Sequence, residues 1–149
     1  MTMTGLPVFD ETLHVTNTWL HELEARCGLR DRQQSYRLLR ACLHTLRDHL
    51  SVEVSANLSA QLPILIRGIY YEAWQPTQVP KRSRSLDDFL SVVARAFRED
   101  ADFDASAGFQ EFVSVMRRHI SPGEMTILQN LMPDLIKPLW EDYTGFEAT

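Results

Sequence analysis

The sequence lacks the features that identify membrane, secreted and disulfide-rich proteins. No apolar run approaches the roughly 18 residues that a membrane-spanning helix needs. Residues 1–10 contain neither a basic flank nor an apolar segment of the kind found in signal peptides, so we expect no signal peptide. The two cysteines, Cys27 and Cys42, lack Cys-x-x-Cys spacing and predict small core residues in a reducing compartment. We therefore expect a soluble, cytoplasmic protein that does not contact membranes.

An excess of positive charge is also missing. The chain has 15 basic and 20 acidic residues, a formal net charge of -5 and a pI near 5.5. Because a protein that binds nucleic acid needs a basic face to displace counterions, this balance predicts no nucleic-acid partner. The basic cluster Lys81-Arg82-Ser83-Arg84 is interpreted as a solvated linker, with contact to an acidic partner as the alternative.

Catalytic and cofactor motifs are absent from the sequence as well. The six glycines are scattered singly and form neither a dinucleotide fingerprint nor a phosphate-binding loop. Neither a Gly-x-Ser-x-Gly elbow nor a His-Glu-x-x-His metal motif occurs. His14 and His21 share one side of the first predicted helix, but they lie about 10 Å apart along its axis, too far to share a metal ion. The sequence predicts no catalytic residue, no metal site and no cofactor.

What the sequence does contain is apolar residues at every third or fourth position nearly throughout. This spacing predicts amphipathic helices, and no stretch alternates apolar and polar residues as a strand would, so the predicted fold class is all-α. The first helix carries its apolar stripe from Phe9 to Cys27 and ends at Gly28, a residue that tolerates left-handed backbone angles. Asp31, with Gln34 three residues later, predicts the cap of the second helix.

The later helix boundaries follow from capping residues and prolines. Residues 75–84 contain two prolines and little apolar content, which predicts a loop, and residues 100–108 predict a polar turn. The other predicted helices are a third from Ser51, a fourth from Pro63 to Trp74, a fifth from Leu86 to Phe97 capped by Ser85, a sixth from Phe109 to Ile120, a seventh capped by Ser121, and an eighth from Pro133 to Trp140.

The two halves of the chain resemble each other. A shift of about 70 residues, called the repeat offset below, aligns the helices without a gap. Residues identical at this offset include Leu20 and Leu90, Arg47 and Arg117, His49 and His119, Ser51 and Ser121, Leu58 and Leu128, and Pro63 and Pro133. We predict a helical bundle made of two tandem copies of a four-helix unit, residues 9–74 and 85–144, joined by loop 75–84. Because each copy alone would bury little apolar surface, residues 1–149 should fold as a single cooperative domain.

Two histidines recur at this offset. His49 and His119 each lie at the end of a long predicted helix, two residues before a serine cap. A histidine there can donate to free carbonyls and favours the negative end of the helix dipole. The recurrence favours a structural role at the turn over catalysis, and a pH-sensing role stays open.

The candidate interaction site is the segment from Arg67 to Trp74. It places Arg67, Tyr70, Tyr71 and Trp74 within two predicted helical turns, and arginine with aromatic side chains is typical of interaction hot spots. The alternative is that the aromatics fill the interface between the halves and that Arg67 pairs with a carboxylate. The second copy lacks this combination, since Lys137, Pro138, Trp140 and Glu141 occupy the matching positions.

The sequence around this segment resembles a bacterial family, the domain of unknown function DUF2267. The resemblance extends over roughly residues 9–140 and departs from the family pattern at His49, where arginine is expected, and at Ala73, where glycine is expected. It implies a bacterial, helical, cytoplasmic protein and carries over no catalytic residue. The resembling positions are Tyr36, 39–41, Leu43, 46–48, 60–63, Leu65, 67–68, 70–72 and Trp74.

The leading functional hypothesis is a non-enzymatic interaction or regulatory module that contacts a protein partner through the Arg67–Trp74 segment. The alternative is a carrier that encloses a small apolar ligand between helices. A metal-dependent enzyme is the third and least favoured possibility, because the chain lacks the paired glutamate and Glu-x-x-His pattern of di-iron bundles. We expect a monomer or a homodimer.

Overall fold

The computed structural model describes residues 3–141 and places eight α-helices and no strand among them. The predicted all-α class is confirmed, and none of these helices is long and apolar enough to cross a bilayer. The helices are α1 (Pro7–Cys27), α2 (Arg32–Asp48), α3 (Val52–Ser59), α4 (Ile64–Tyr71), α5 (Leu86–Phe89), α6 (Ser91–Ala96), α7 (Ala105–His119) and α8 (Pro122–Leu131), with 3-10 turns at Pro76–Gln78 and Lys137–Trp140.

Capping residues fix several helix ends where the sequence predicts them. Gly28 adopts a left-handed conformation at φ 62° and its N–H bonds the carbonyl of Glu24. The Asp31 carboxylate accepts from the backbone N–H of Gln34 at 2.9 Å and begins α2. Ser51 and Ser121 begin α3 and α8 through the same kind of bond. These polar side chains satisfy backbone donors that have no partner within their helix.

The fourth helix ends earlier than predicted. It stops at Tyr71, and Ala73 follows in the left-handed region at φ 61°. That conformation turns the chain away from the helix axis, so Trp74 lies beyond α4 rather than on it. The position where the family resemblance expects glycine is therefore one where the backbone favours glycine.

Three other helices also differ from the prediction. The predicted fifth helix is divided into α5 and α6 at Leu90. The helix predicted from Phe109 starts at Ala105, because the Asp104 carboxylate caps it by accepting from the N–H of Ala107 at 3.1 Å. The helix predicted from Pro133 is only the 3-10 turn Lys137–Trp140. Residues 142–144, the end of the predicted second copy, lie outside the described residues.

One continuous core joins the early and the late helices. α1 packs against α2, α4 and α7, while α2 also packs against α4, α6 and α7. Cys42 is fully buried, as predicted, and Cys27 is partly buried, where burial raises the pKa of its thiol to about 12. The largest fully buried side chains are Trp19, Tyr70, Phe89, Phe109, Phe112 and Trp140.

Candidate functional site

The predicted site residue Arg67 is engaged inside the fold. Its Nε donates to the carbonyl of Ser59 at 2.9 Å, and its Nη2 donates to the carbonyl of Leu62 at 3.0 Å. The guanidinium therefore satisfies backbone acceptors at and just beyond the C-terminal end of α3, where a cation is favoured. No carboxylate among residues 3–141 pairs with Arg67, whereas the alternative interpretation expected such a pair.

The three aromatic residues of the predicted site are also packed against the protein. Tyr70 is fully buried, and its hydroxyl bonds that of Ser55 at 2.8 Å. The Tyr71 hydroxyl bonds that of Ser59 at 2.7 Å, and its ring lies 5.0 Å from that of Trp74. The structure thus brings the four predicted residues together around α3 and α4, with Tyr71 and Trp74 partly exposed.

The two recurring histidines join segments that are distant in sequence. The Nδ1 of His49 lies 2.7 Å from the carbonyl of Thr45, and its Nε2 lies 2.6 Å from the Ser83 hydroxyl. Because a carbonyl only accepts, Nδ1–H donates to it, and the neutral Nε2 accepts from Ser83. Burial lowers the pKa of His49, which keeps the ring neutral. His119 instead bonds Glu22 at 2.7 Å.

A feature that the sequence analysis missed is a cleft between α2 and α6. This cleft has a volume of about 840 Å³ and is lined largely by arginines. We call it the arginine cleft. Five arginines line it, against two carboxylates, Glu99 and Asp100. Tyr36 and short apolar side chains complete the wall. The arginines are Arg30, Arg37, Arg40, Arg95 and Arg98.

Helical geometry explains why these arginines share one cleft. On α2, Leu38, Leu39 and Cys42 are buried, which leaves Arg37 and Arg40 on the outer face, about one turn apart. On α6, the buried Val93 similarly directs Arg95 outward. Because α2 and α6 pack against each other, outward residues of both helices line one cleft and form its two walls.

Arg37 is held in place by the segment that follows α6. Its guanidinium carbon lies 5.4 Å from the centroid of the Phe97 ring, and its Nη1 lies 3.5 Å from an Asp100 carboxylate oxygen. Phe97 in turn stacks on Phe103 at 3.9 Å. Phe103 packs against Gly108, where a Cβ would lie only 2.7 Å from its ring. This chain of contacts orders residues 97–108 behind the arginine cleft.

Three of the arginines have nearby carboxylates, and two do not. Arg40 Nε lies 2.9 Å from Glu72, and Arg30 Nε lies 3.9 Å from Asp31, in addition to the pair between Arg37 and Asp100. These pairs are partly exposed, and such pairs contribute about 0–1 kcal/mol, so a competing anion can replace them. Arg95 and Arg98 pair with no carboxylate among residues 3–141.

A second surface feature is an apolar groove between the N-terminal half of α1 and α4. One part of about 330 Å³ is lined by Phe9, Leu13, Ile64 and Leu65, among others. An adjoining part of about 450 Å³ is walled by further α1 residues and by residues 61–64. We call these two parts together the apolar groove. It is the place in the described structure where a small apolar ligand would fit.

The arginine cleft was difficult to identify from the sequence because its arginines are spread over residues 30–98 and the whole chain is acidic. The available signal was the helical spacing of Arg37 and Arg40, and of Arg95 and Arg98. Of the 15 basic residues, 13 are arginine. Metal chemistry has no comparable support: within residues 3–141, no group of three His, Cys, Asp or Glu side chains could hold a metal ion.

Comparison with known protein families identifies one match. The sequence model of the family described as "Uncharacterized conserved protein (DUF2267)" matches residues 16–139. The chain therefore belongs to the DUF2267 family, which confirms the resemblance noted in the sequence. A comparison with curated proteins finds no match.

Proposed function

We propose that this member of the DUF2267 family is a non-enzymatic binding module that holds an anionic group of a protein partner in the arginine cleft. The observation that carries the proposal is five arginines against two carboxylates on one cleft of an acidic chain. Arginine presents a planar fork of donors that matches carboxylate and phosphate groups. Two of these forks, on Arg95 and Arg98, have no carboxylate partner within the described residues.

The charge outside the cleft limits what kind of anion can bind. With the lining residues set aside, the chain retains ten basic and eighteen acidic side chains. An extended polyanion, such as nucleic acid or an anionic membrane, would face this acidic remainder and be repelled. A compact anionic group on a protein would reach the arginines alone. This supports a protein partner over nucleic acid or membrane.

The Arg67–Trp74 segment is a second candidate contact surface in this proposal. Arg67 and Tyr70 bond within the fold, so they would support the surface rather than touch the partner. Tyr71 and Trp74 are partly exposed, as is Arg67, and their rings could contact a partner. Glu72, in the same segment, pairs with Arg40 at 2.9 Å and so joins the segment to the arginine cleft.

The two-copy architecture belongs to the same proposal. In support of it, Arg47 donates to the carbonyl of Tyr70 at 3.1 Å, and at the repeat offset Arg117 donates to that of Trp140. Two four-helix units would then share one core, so we propose a single cooperative domain, present as a monomer or homodimer in a bacterial cytoplasm. Two separate transitions in urea unfolding would contradict the single domain.

Fluorescence anisotropy of a labelled peptide whose only charges are two adjacent glutamates, called the glutamate-rich peptide below, tests the proposed site with a compact anionic group. Arg95→Gln/Arg98→Gln should weaken binding about tenfold or more, since hydrogen bonds to charged groups contribute about 1.5–3 kcal/mol each. The matched control is Arg82→Gln/Arg84→Gln, which removes the same charge from the basic loop. Equal weakening in both variants would mean that only net charge matters and would refute the cleft as the site.

The small-ligand carrier is a second candidate function, and the apolar groove is the observation that favours it. Val8, Phe9 and Ile64 expose about half of their side-chain surface there. Binding of a fluorescent fatty acid, lost on Ile64→Asp and kept in Arg95→Gln/Arg98→Gln, would favour the carrier over the anion-binding module.

A further inference from the structure

We propose that the anionic group that fits the arginine cleft is a phosphate monoester, gripped between Arg37 and Arg40 on α2 and Arg95 and Arg98 on the α6 side. This inference rests on the proposed binding function and specifies its ligand. Phosphate monoesters carry a charge of about −1.5 to −2 at pH 7 and present three strong acceptor oxygens.

The carboxylates that already pair with arginines of the cleft argue for a doubly charged ligand. Asp100 and Glu72 each satisfy one arginine, at 3.5 Å and 2.9 Å. A ligand carboxylate can pair with Arg95 or Arg98, but to reach Arg37 or Arg40 as well it would have to exchange with Asp100 or Glu72, for no net gain in charge pairing. A phosphate dianion has enough charge and acceptors to bond arginines of both walls, so it outcompetes the internal carboxylates.

The internal carboxylates are free to move aside. The Asp100 side chain is 25% exposed and that of Glu72 is 53% exposed, and each has one arginine as its ion-pair partner. Arg37 would keep its orientation after losing Asp100, because the Phe97 ring still lies beneath its guanidinium. The arginine cleft thus suits a phosphate in two ways: the Phe97 ring positions the Arg37 guanidinium, and a phosphate can displace the Asp100 carboxylate.

The dimensions of the cleft favour an ester over free phosphate. Its volume of about 840 Å³ exceeds what one phosphate group fills, so room remains for the group that carries it. Tyr36 and the apolar Val92 and Ala96 line the same space and can contact that group. The carrier is either a phosphorylated side chain of a partner protein or a small organic phosphate, and both offer the same chemistry to the arginines.

The test compares peptides that differ at one residue, which is serine, glutamate or phosphoserine, by fluorescence anisotropy on the full chain. The phosphoserine peptide should bind about tenfold or more tightly than the glutamate peptide, as two additional charge-assisted bonds imply. Arg95→Gln/Arg98→Gln should abolish this difference, while Arg82→Gln/Arg84→Gln should keep it. Asp100→Asn should strengthen binding of both anionic peptides, because Arg37 is released.

The outcomes separate the inference from the function on which it rests. Equal affinity for the glutamate and phosphoserine peptides would overturn the phosphate assignment and leave the anion-binding function intact. If neither peptide binds, and inorganic phosphate and free phosphoserine also fail to bind, both the phosphate assignment and the anion-binding function are overturned. Binding of free phosphoserine as tight as that of the phosphopeptide would support the phosphate site, assign it to small organic phosphates and overturn the protein partner of the proposed function.

Discussion

The imidazole of His119 stacks on the indole of Trp19, with ring centroids 4.9 Å apart and planes inclined by 20°. The repeat offset relates Trp19 to Phe89 and His119 to His49. The equivalent contact is present, since the rings of His49 and Phe89 pack with centroids 4.6 Å apart. The helices follow the same relation: α1 packs against α7, and α2 packs against α6. These reciprocal contacts support the proposed two-copy architecture, in which a pseudo-two-fold axis would let each interface residue meet its counterpart's partner.

These contacts give a stability prediction for Trp19, which is fully buried. Trp19→Ala should destabilise the protein by about 3–5 kcal/mol, because it leaves a large cavity at the contact between α1 and α7. Trp19→Phe should be much milder, since phenylalanine occupies the matching position 89. Urea unfolding followed by circular dichroism measures both, with Trp74→Ala as the partly exposed control. A loss for Trp19→Ala no larger than that for Trp74→Ala would count against the reciprocal packing.

Relieving the backbone strain at Ala73 should stabilise the protein. Ala73→Gly should stabilise the fold by about 0.5–1 kcal/mol, because glycine adopts the left-handed region at φ 61° without the clash of a Cβ. Ala94→Gly, at an exposed position inside α6, is the matched control and should destabilise by about 1 kcal/mol. Thermal unfolding of the two variants should therefore shift in opposite directions; a shift of the same sign would contradict the account.

Buried histidines predict the pH dependence of stability. Burial lowers the pKa of both His44 and His49 from the ordinary value of 6.5. Between the lowered pKa and 6.5 the unfolded chain binds more protons than the folded one, so stability is present above pH 6.5 and is lost as the pH falls below it. His49→Gln should flatten this loss in urea unfolding, whereas the exposed His14→Gln should not. An unchanged slope in His49→Gln would be inconsistent with a neutral, partly buried His49.

The close contact at Gly108 connects the fold to the arginine cleft. Gly108→Ala would place a Cβ 2.7 Å from the Phe103 ring, so the ring must shift along with the stacked Phe97. We expect a loss of about 1–3 kcal/mol in stability and weaker binding of the glutamate-rich peptide, because Arg37 loses its support. Gly123→Ala meets no atom within 4 Å and serves as the control. Peptide affinity that is unchanged in Gly108→Ala would separate the segment 97–108 from the site.

Local chemistry made some of these elements predictable and left others hidden. Gly28, Asp31 and Ser121 act on backbone groups within a few residues, so the sequence alone identifies the helix ends that they form. The end of α4 could not be found in this way. Alanine is a strong helix former, and nothing local indicates that Ala73 would adopt a positive φ.

The two surfaces show the same contrast between local and tertiary information. Arg67 and its aromatic neighbours stand out as a run in the sequence, but tertiary hydrogen bonds to Ser55, Ser59 and Leu62 decide which of them face solvent. The arginines of the cleft are far apart in sequence, from Arg30 to Arg98. Only the packing of α2 against α6 brings them together, and the overall acidity conceals the local excess of positive charge.

Binding of an anionic ligand in the arginine cleft can be observed directly in a chemical-shift map of the isotope-labelled protein titrated with the glutamate-rich peptide. Shifts should concentrate in residues 30–41 and 92–100 and fade as salt is added. Shifts concentrated instead in residues 8–19 and 61–68, which line the apolar groove, or in the basic loop 81–84, would refute the cleft as the binding site.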